Sequence, residues 1–528
     1  MTANLTRRDF LAAFLGAPIA AACARRPPPR PPGELVGASD AFGHLLRDEP
    51  PPRPAAWTRE RVAIVGGGVA GLAAAWRLHH AGFTDFRLFE LEGAPGGTAR
   101  AGDAYPWGAH YVPAPTRDNP ALLLLLGEMG ILDGTDADGE PVIAEQDLVR
   151  DPEERVYYRG RWYEGLYLHA GASPDDERQL ATFLAEIQRW VDFRDGRGRR
   201  AFTLPTARAS DDAEVTALDR ESFRDWAGRR GFTSPRLLWL LDYACRDDYC
   251  TTLDGTSAWA GVFYFASRAT RSAAESRPLM TWPQGNGRLV AHLWRRVADR
   301  ARLDAAACDV APGDAGVDVT FRARRGDPFG VRAERVIFAA PQFVARRTIR
   351  GLPDDRAGFE YGAWMVANLH LGGRPLGRGF PLAWDNVLYD SPSLGYVVAT
   401  HQRGPEQGPT VLTYYYPLVG DGAAARRALL AAGQPEWADV ALADLGRAHP
   451  EIADLVERVD VMRWGHAMIR PRPGFVWGAR ARGAPFRGVH FACSDLSGVA
   501  LFEEAFDHGV RAAEEVLASL GRPAESIR

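Results

Sequence analysis

The sequence has 528 residues, 46% hydrophobic and 25% charged, enough for two to four domains of about 150 residues or one large composite. Its 63 basic residues are all arginine, which excludes chemistry that needs a lysine side chain: a Schiff-base lysine, a pyridoxal-phosphate anchor, a phosphate-loop or kinase lysine. The formal net charge of −4 gives no global field for nucleic acid, and basic pairs such as Arg295-Arg296 and Arg346-Arg347 read as solvated faces.

The first element in chain order is Thr6-Arg7-Arg8-Asp9-Phe10-Leu11, followed by an apolar run from Leu11 to Ala22. Paired arginines before a short apolar stretch resemble a twin-arginine export signal, here residues 1–23, with Ala12 where such signals often carry lysine. The run is short for a bilayer span, which needs about 20 apolar residues. It ends Ala20-Ala21-Ala22-Cys23, either a small-residue cleavage site or a degenerate lipoprotein box that puts a lipid anchor on Cys23. The implied destination is the periplasm, free or membrane-anchored, and export of folded protein implies a cofactor loaded beforehand. Residues 24–57 are rich in Arg and Pro and read as an extended spacer.

Past Trp57 the pattern is that of a nucleotide-binding unit. Arg61–Val65 is a short β-branched strand that runs into Gly66-Gly67-Gly68-Val69-Ala70-Gly71, an Ala-rich helix to His80 and a stop at Gly82. A second strand, Phe86–Glu90, ends on an acid. Each part has a role: Gly66 permits the tight turn and Gly68 lets a pyrophosphate approach the backbone. Gly71 lets the helix pack on the strand, Val69 and Ala70 start the helix that faces the phosphates, and Glu90 meets ribose hydroxyls.

Gly93-Ala-Pro-Gly96-Gly97-Thr-Ala-Arg100 follows closely. It resembles the Gly-Gly-x-x-Arg extension of the flavin-containing amine oxidase, phytoene desaturase and protoporphyrinogen oxidase superfamily. The resemblance implies FAD, with Gly96, Gly97 and Arg100 near its pyrophosphate and ribityl chain. Gly108-Ala109 resembles the family's turn at the isoalloxazine ring, with Pro106 where the family has an acid. Trp282–Leu289 resembles a glycine turn before a helix, and Val317–Phe321 and Arg335–Pro341 resemble the strands that close over adenosine. Val489–Asp495 and a helix from Leu501 to Ala518 complete the likeness, with Ser494-Asp495 in place of a Gly-Glu pair that contacts FAD. The expected fold class is α/β, a Rossmann-like FAD-binding domain of discontinuous segments plus an α+β substrate domain. The segments are 58–115, 277–350 and 460–520 for FAD, and 116–276 and 351–459 for a small-molecule substrate.

The family often places a lysine at flavin N5, a residue absent here. A base, where one is needed, falls to His110, which follows the ring turn, or to His466, which follows Arg463-Trp464. Asp247-Asp248-Tyr249 and Arg268 read either as cavity wall or as a solvated helix end. Tyr414-Tyr415-Tyr416 offers an aromatic wall, although period-two alternation sends part of it to the core. Of five cysteines none forms a Cys-x-x-Cys pair, no His/Cys spacing suggests a metal, and Cys493 reads as a buried small residue. The expected activity is hydride abstraction from an amine or apolar substrate, with electrons passed to oxygen or a quinone. The alternatives are an FAD-dependent isomerase or mutase and a non-catalytic flavin-binding protein.

Overall fold

The Ala56–Val65 strand organises a seven-stranded sheet. The computed structural model describes residues 30–269, 272–353, 358–404 and 407–528, so the export-signal reading and Cys23 lie outside the described residues. Phe86–Phe89 and then Ala301–Arg302 run parallel on one side of Ala56–Val65. Phe329–Phe338 runs parallel on the other side and continues antiparallel into Gly316–Ala323 and Ala305–Gly313. Val489–Phe491 adds a short parallel strand against Val336–Phe338. Strands covered on both faces need continuous apolar runs, and Val62 to Val65 are all buried.

Behind this sheet the Val69–His80 helix packs on the Phe502–Ser519 helix. Their contact is close because Gly509 has no side chain: a Cβ there would stand 2.2 Å from the Ala70 carbonyl oxygen. Phe502, Phe506, Val510 and Ala513 share a cluster with Leu72 and Trp76, so the helix expected from Leu501 to Ala518 buries one apolar face against the glycine-turn helix.

An eight-stranded sheet forms the second layer, in the order Leu35–Gly37, Val456–Ile469, Tyr361–Leu371, Thr410–Leu418, Tyr396–Val398, Asp385–Leu388, Glu154–Tyr158, Arg161–Glu164. Alternation along Thr410–Leu418 separates the three tyrosines. Tyr414 donates to Asp444 at 2.9 Å and Tyr416 leans on Trp437, whereas Tyr415 points the other way and donates to the Gly108 carbonyl at 2.6 Å.

A helical layer made of Pro174–Asp192, Phe223–Arg229, Pro235–Tyr249 and Ala258–Ala266 encloses Phe183, Trp190, Trp226, Tyr249, Trp259 and Phe263. Its longest helix starts at a reciprocal cap, Ser173 with Asp176. Among the described residues no helix is long and apolar enough to cross a membrane. The described cysteines, Cys245, Cys250, Cys308 and Cys493, are all free thiols.

The expected spacer departs from expectation between Leu35 and Asp48. Leu35–Gly37 pairs parallel to Val456–Ile469, and two helical turns, Asp40–Gly43 and Leu45–Asp48, follow. The apolar side chain of Phe42 is buried beneath Arg324, and Ser39 donates to Glu92 at 2.6 Å. The open edge of a sheet offers backbone partners to any short extended segment, which a reading by composition does not register.

Candidate active site

The glycine segments interlock through their backbones. Gly66 has φ +108 and donates to the Phe89 carbonyl at 2.8 Å. A Cβ on Gly71 would stand 1.9 Å from the Gly66 oxygen, so this glycine closes helix onto turn. Gly96, with φ +110, donates to the Gly67 carbonyl at 2.8 Å and bridges to Gly68. A Cβ on Gly108 would fall 2.0 Å from the Thr98 oxygen. Gly68 differs: its nearest neighbour for a Cβ is the Gly97 Cα at 3.9 Å, which leaves bare backbone facing open space. No side chain caps the Val69–His80 helix, so the orphan amides of its first turn remain for an anionic group.

That open space is one cavity of about 1250 Å³, walled by both sheets and the helical layer. Binding pockets for single small ligands run to about 1,000 Å³, so there is room for a large cofactor and a substrate together. Gly66, Gly68, Val69, Ala70, Glu90, Gly96, Gly97, Gly108, Ala109, His110, His466 and Asp495 all line it. Gly67, Gly71 and Arg100 stand behind the wall. Gly67 donates to Glu90 Oε2 at 2.5 Å, and burial pushes the Glu90 carboxyl up from its ordinary value. The Arg100 guanidinium lies 3.9 Å from Glu92, over the Trp464 ring and against the Met462 sulfur.

Asp495 Oδ2 accepts from the Gln342 amide at 2.9 Å and from the Tyr361 hydroxyl at 2.6 Å, an internal use that its match to the family's Gly-Glu position did not reveal. His466 stacks on Phe343 with ring centroids 4.0 Å apart. His110 is buried edge-on to Trp384 and Tyr415, and neither ring nitrogen has a hydrogen-bond partner. Burial pushes both histidines down to about 3, so both are neutral near pH 7. They share the cavity but not a neighbourhood.

Asp247, Asp248, Tyr243, Tyr264 and Arg268 reach into the cavity from the helical layer. Both readings of Asp247 and Asp248 are thereby resolved in favour of the wall. Asp248 is held by Arg268 at 2.6 Å, and Asp247 accepts from Tyr264 at 3.2 Å. Glu154 and Asp385 join them from the eight-stranded sheet. Sequence reasoning missed these two; a charge inside each of two strand-like runs, Glu-Arg-Val-Tyr-Tyr and Asp-Asn-Val-Leu, is the one signal they carry. The aromatic residues of the helical layer divide: Tyr243, Tyr264 and Phe265 face the cavity, while Trp190, Trp226 and Trp259 are core.

A profile of flavin containing amine oxidoreductases matches residues 69–517. The chain belongs to that family. It is an FAD-dependent oxidoreductase family, and the bare glycine backbone, the uncapped helix start and the cavity's size fit FAD. Peroxisomal N(1)-acetyl-spermine/spermidine oxidase of Homo sapiens is 42% identical over 77 residues, 14% of this chain and 15% of that protein. Its Bos taurus counterpart is 40% identical over 81 residues, 13% and 16% of the two chains. The alignment thus covers about a sixth of these curated relatives' length. A putrescine oxidase double mutant superposes with TM-score 0.63 at 19% identity, over 88% of this chain and 100% of that one. Cyclohexylamine oxidase from Brevibacterium oxydans IH-35A gives 0.60 at 16%, over 88% and 100%. A CLA-producing fatty acid isomerase from P. acnes gives 0.60 at 14%, over 87% and 98%. At these identities the solved structures share the fold.

Proposed function

We propose that this chain oxidises a small-molecule amine, with FAD along the glycine turns and the amine in the part of the cavity walled by His110, Trp384 and Tyr415. One observation carries the reading: a single cavity joins the glycine turns of a flavin-family fold to a wall of aromatic and carboxylate side chains. The chemistry FAD supplies when bound is acceptance of a hydride from the carbon beside the amine nitrogen, the resulting imine being hydrolysed by water.

The chain's own residues bind and orient. The Gly68 and Gly97 backbone and the first turn of the Val69–His80 helix receive the pyrophosphate, and Glu90 receives ribose hydroxyls. Gly108 and Ala109 border the ring, their position fixed by the Tyr415 hydroxyl and by Gly285, whose Cβ would stand 2.7 Å from the Ala109 oxygen. Asp495 holds the Gln342 amide and Tyr361 at the same wall. His110 and His466 contribute shape and neutral hydrogen-bonding capacity; lowered to about 3 by burial, they are uncharged at pH 7, each with one ring N–H and one acceptor nitrogen.

The test is anaerobic stopped-flow mixing of holoenzyme with candidate amines. Loss of the oxidised flavin band with no added reductant is expected, followed by its return on mixing with oxygen or a quinone. A flavin that stays oxidised while the added compound is rearranged would replace this reading with an isomerase.

A further inference from the structure

We propose that residues 34–48, which precede the stretch matched by the family profile, form a strap that completes the FAD site and holds the cofactor in it. This rests on FAD lying along the glycine turns and is independent of the substrate oxidised.

Ala38, Ser39, Gly43 and His44 line the same cavity as Gly68 and Gly97. A short relay of hydrogen bonds joins them to the glycine turn. Gly67 donates to Glu90 Oε2 at 2.5 Å, and the Glu92 amide donates to Glu90 Oε1 at 2.7 Å. Ser39 then donates to Glu92 twice, from its amide at 2.9 Å and from its hydroxyl at 2.6 Å. Gly37 lies directly against Arg100, where a Cβ would stand 2.5 Å from Nη2, and a Cβ on Gly43 would meet the Leu91 side chain at 3.9 Å. The segment therefore touches both stretches assigned to the cofactor, the strand that ends on Glu90 and the Gly-Gly-x-x-Arg extension.

Its charges suit a diphosphate. Glu92 is a carboxylate on the cavity wall, and Ser39 engages both of its oxygens. The three acids of the segment are each met by arginine: Glu34 by Arg458 at 2.7 Å, Asp40 by Arg463 at 3.6 Å and Asp48 by Arg47 at 2.6 Å. The strap thus brings no unpaired carboxylate to an anionic cofactor. Its own anchorage is slight. Strand pairing runs only from Leu35 to Gly37, and the two helices are one turn each with no side-chain cap, a length that is marginal alone. Phe42, beneath Arg324, is its one buried residue, and its ion pairs lie at the surface, where they add little. A segment held so lightly gains order from a ligand it covers, and by linkage the ligand is held more tightly in return.

The test needs no substrate. Amide hydrogen exchange is compared between the holoenzyme and the same full chain stripped of FAD, and FAD release is followed by free-flavin fluorescence after dilution. FAD is expected to slow exchange across residues 34–48 about tenfold or more, while Arg161–Glu164, at the other edge of the same sheet, keeps its rate. Ser39→Ala/Phe42→Ala is expected to speed FAD release about tenfold or more, with the Tm of the stripped chain unchanged. Phe42→Leu keeps the apolar anchor and the slow release, which separates loss of the strap from general loosening. Equal exchange with and without FAD, the same slowing at both sheet edges, or release as slow in the double variant as in the wild type overturns the proposal. Should the double variant melt early even without FAD, the wild-type exchange comparison decides alone. A holoenzyme that no amine bleaches refutes amine oxidation and leaves the strap standing.

Discussion

Glu154 shows how a single side chain ties the site to stability. Burial, then the neighbouring Glu153, moves its carboxyl from 4.5 to about 7. Between those values the folded protein binds more protons than the unfolded chain, so this group's contribution to stability falls as pH rises. Glu154→Gln removes the titration. The Tm of the variant relative to wild type is therefore expected to climb from pH 4.5 to pH 7 and level off above; a difference that stays flat across that window would show the carboxyl to be solvated in the folded state. Tyr415 and Asp247 were within reach of sequence reasoning, because period-two alternation and an acidic helix end are local signals. Glu154 and Asp385 were not, because strand pairing across more than two hundred residues makes them neighbours and no local pattern encodes that.

At the scale of elements, two glycines separate cofactor binding from folding. Gly68 has an extended backbone, φ −71 and ψ −177, and space for a Cβ. Gly68→Val should fold with near-native stability yet purify with little bound FAD, because its side chain fills the approach to the Gly97 backbone. Gly509→Val acts the other way: it forces the two helices behind the seven-stranded sheet apart and is expected to cost about 3 kcal/mol. Denaturation midpoints and the ratio of flavin to protein absorbance check both. If Gly68→Val retains stoichiometric FAD, the cofactor does not lie against this turn. The glycine fingerprint was legible because each glycine answers a local steric demand. The Leu35–Gly37 strand was not, since its three residues owe their conformation to the neighbouring edge of Val456–Ile469 and to nothing in their own composition.

At the scale of the molecule, the two sheets draw on widely separated parts of the sequence. The seven-stranded sheet takes strands from Ala56 to Phe491, and the eight-stranded sheet takes them from Leu35 to Ile469. The family resemblance made the first sheet foreseeable, because its strands end in recognisable turns. The strand order of the second sheet follows from long-range pairing and had no counterpart in any motif.

The short strand Val489–Phe491 and the helix after it complete the seven-stranded sheet, and the Asp495 contacts and the packing on the Val69–His80 helix depend on them. A chain cut before Val489 is expected to retain no flavin after desalting, read by flavin fluorescence of the protein fraction. Cofactor retention is thus expected to depend on two helices at opposite ends of the fold's sequence, Val69–His80 and Phe502–Ser519, each bracing the other.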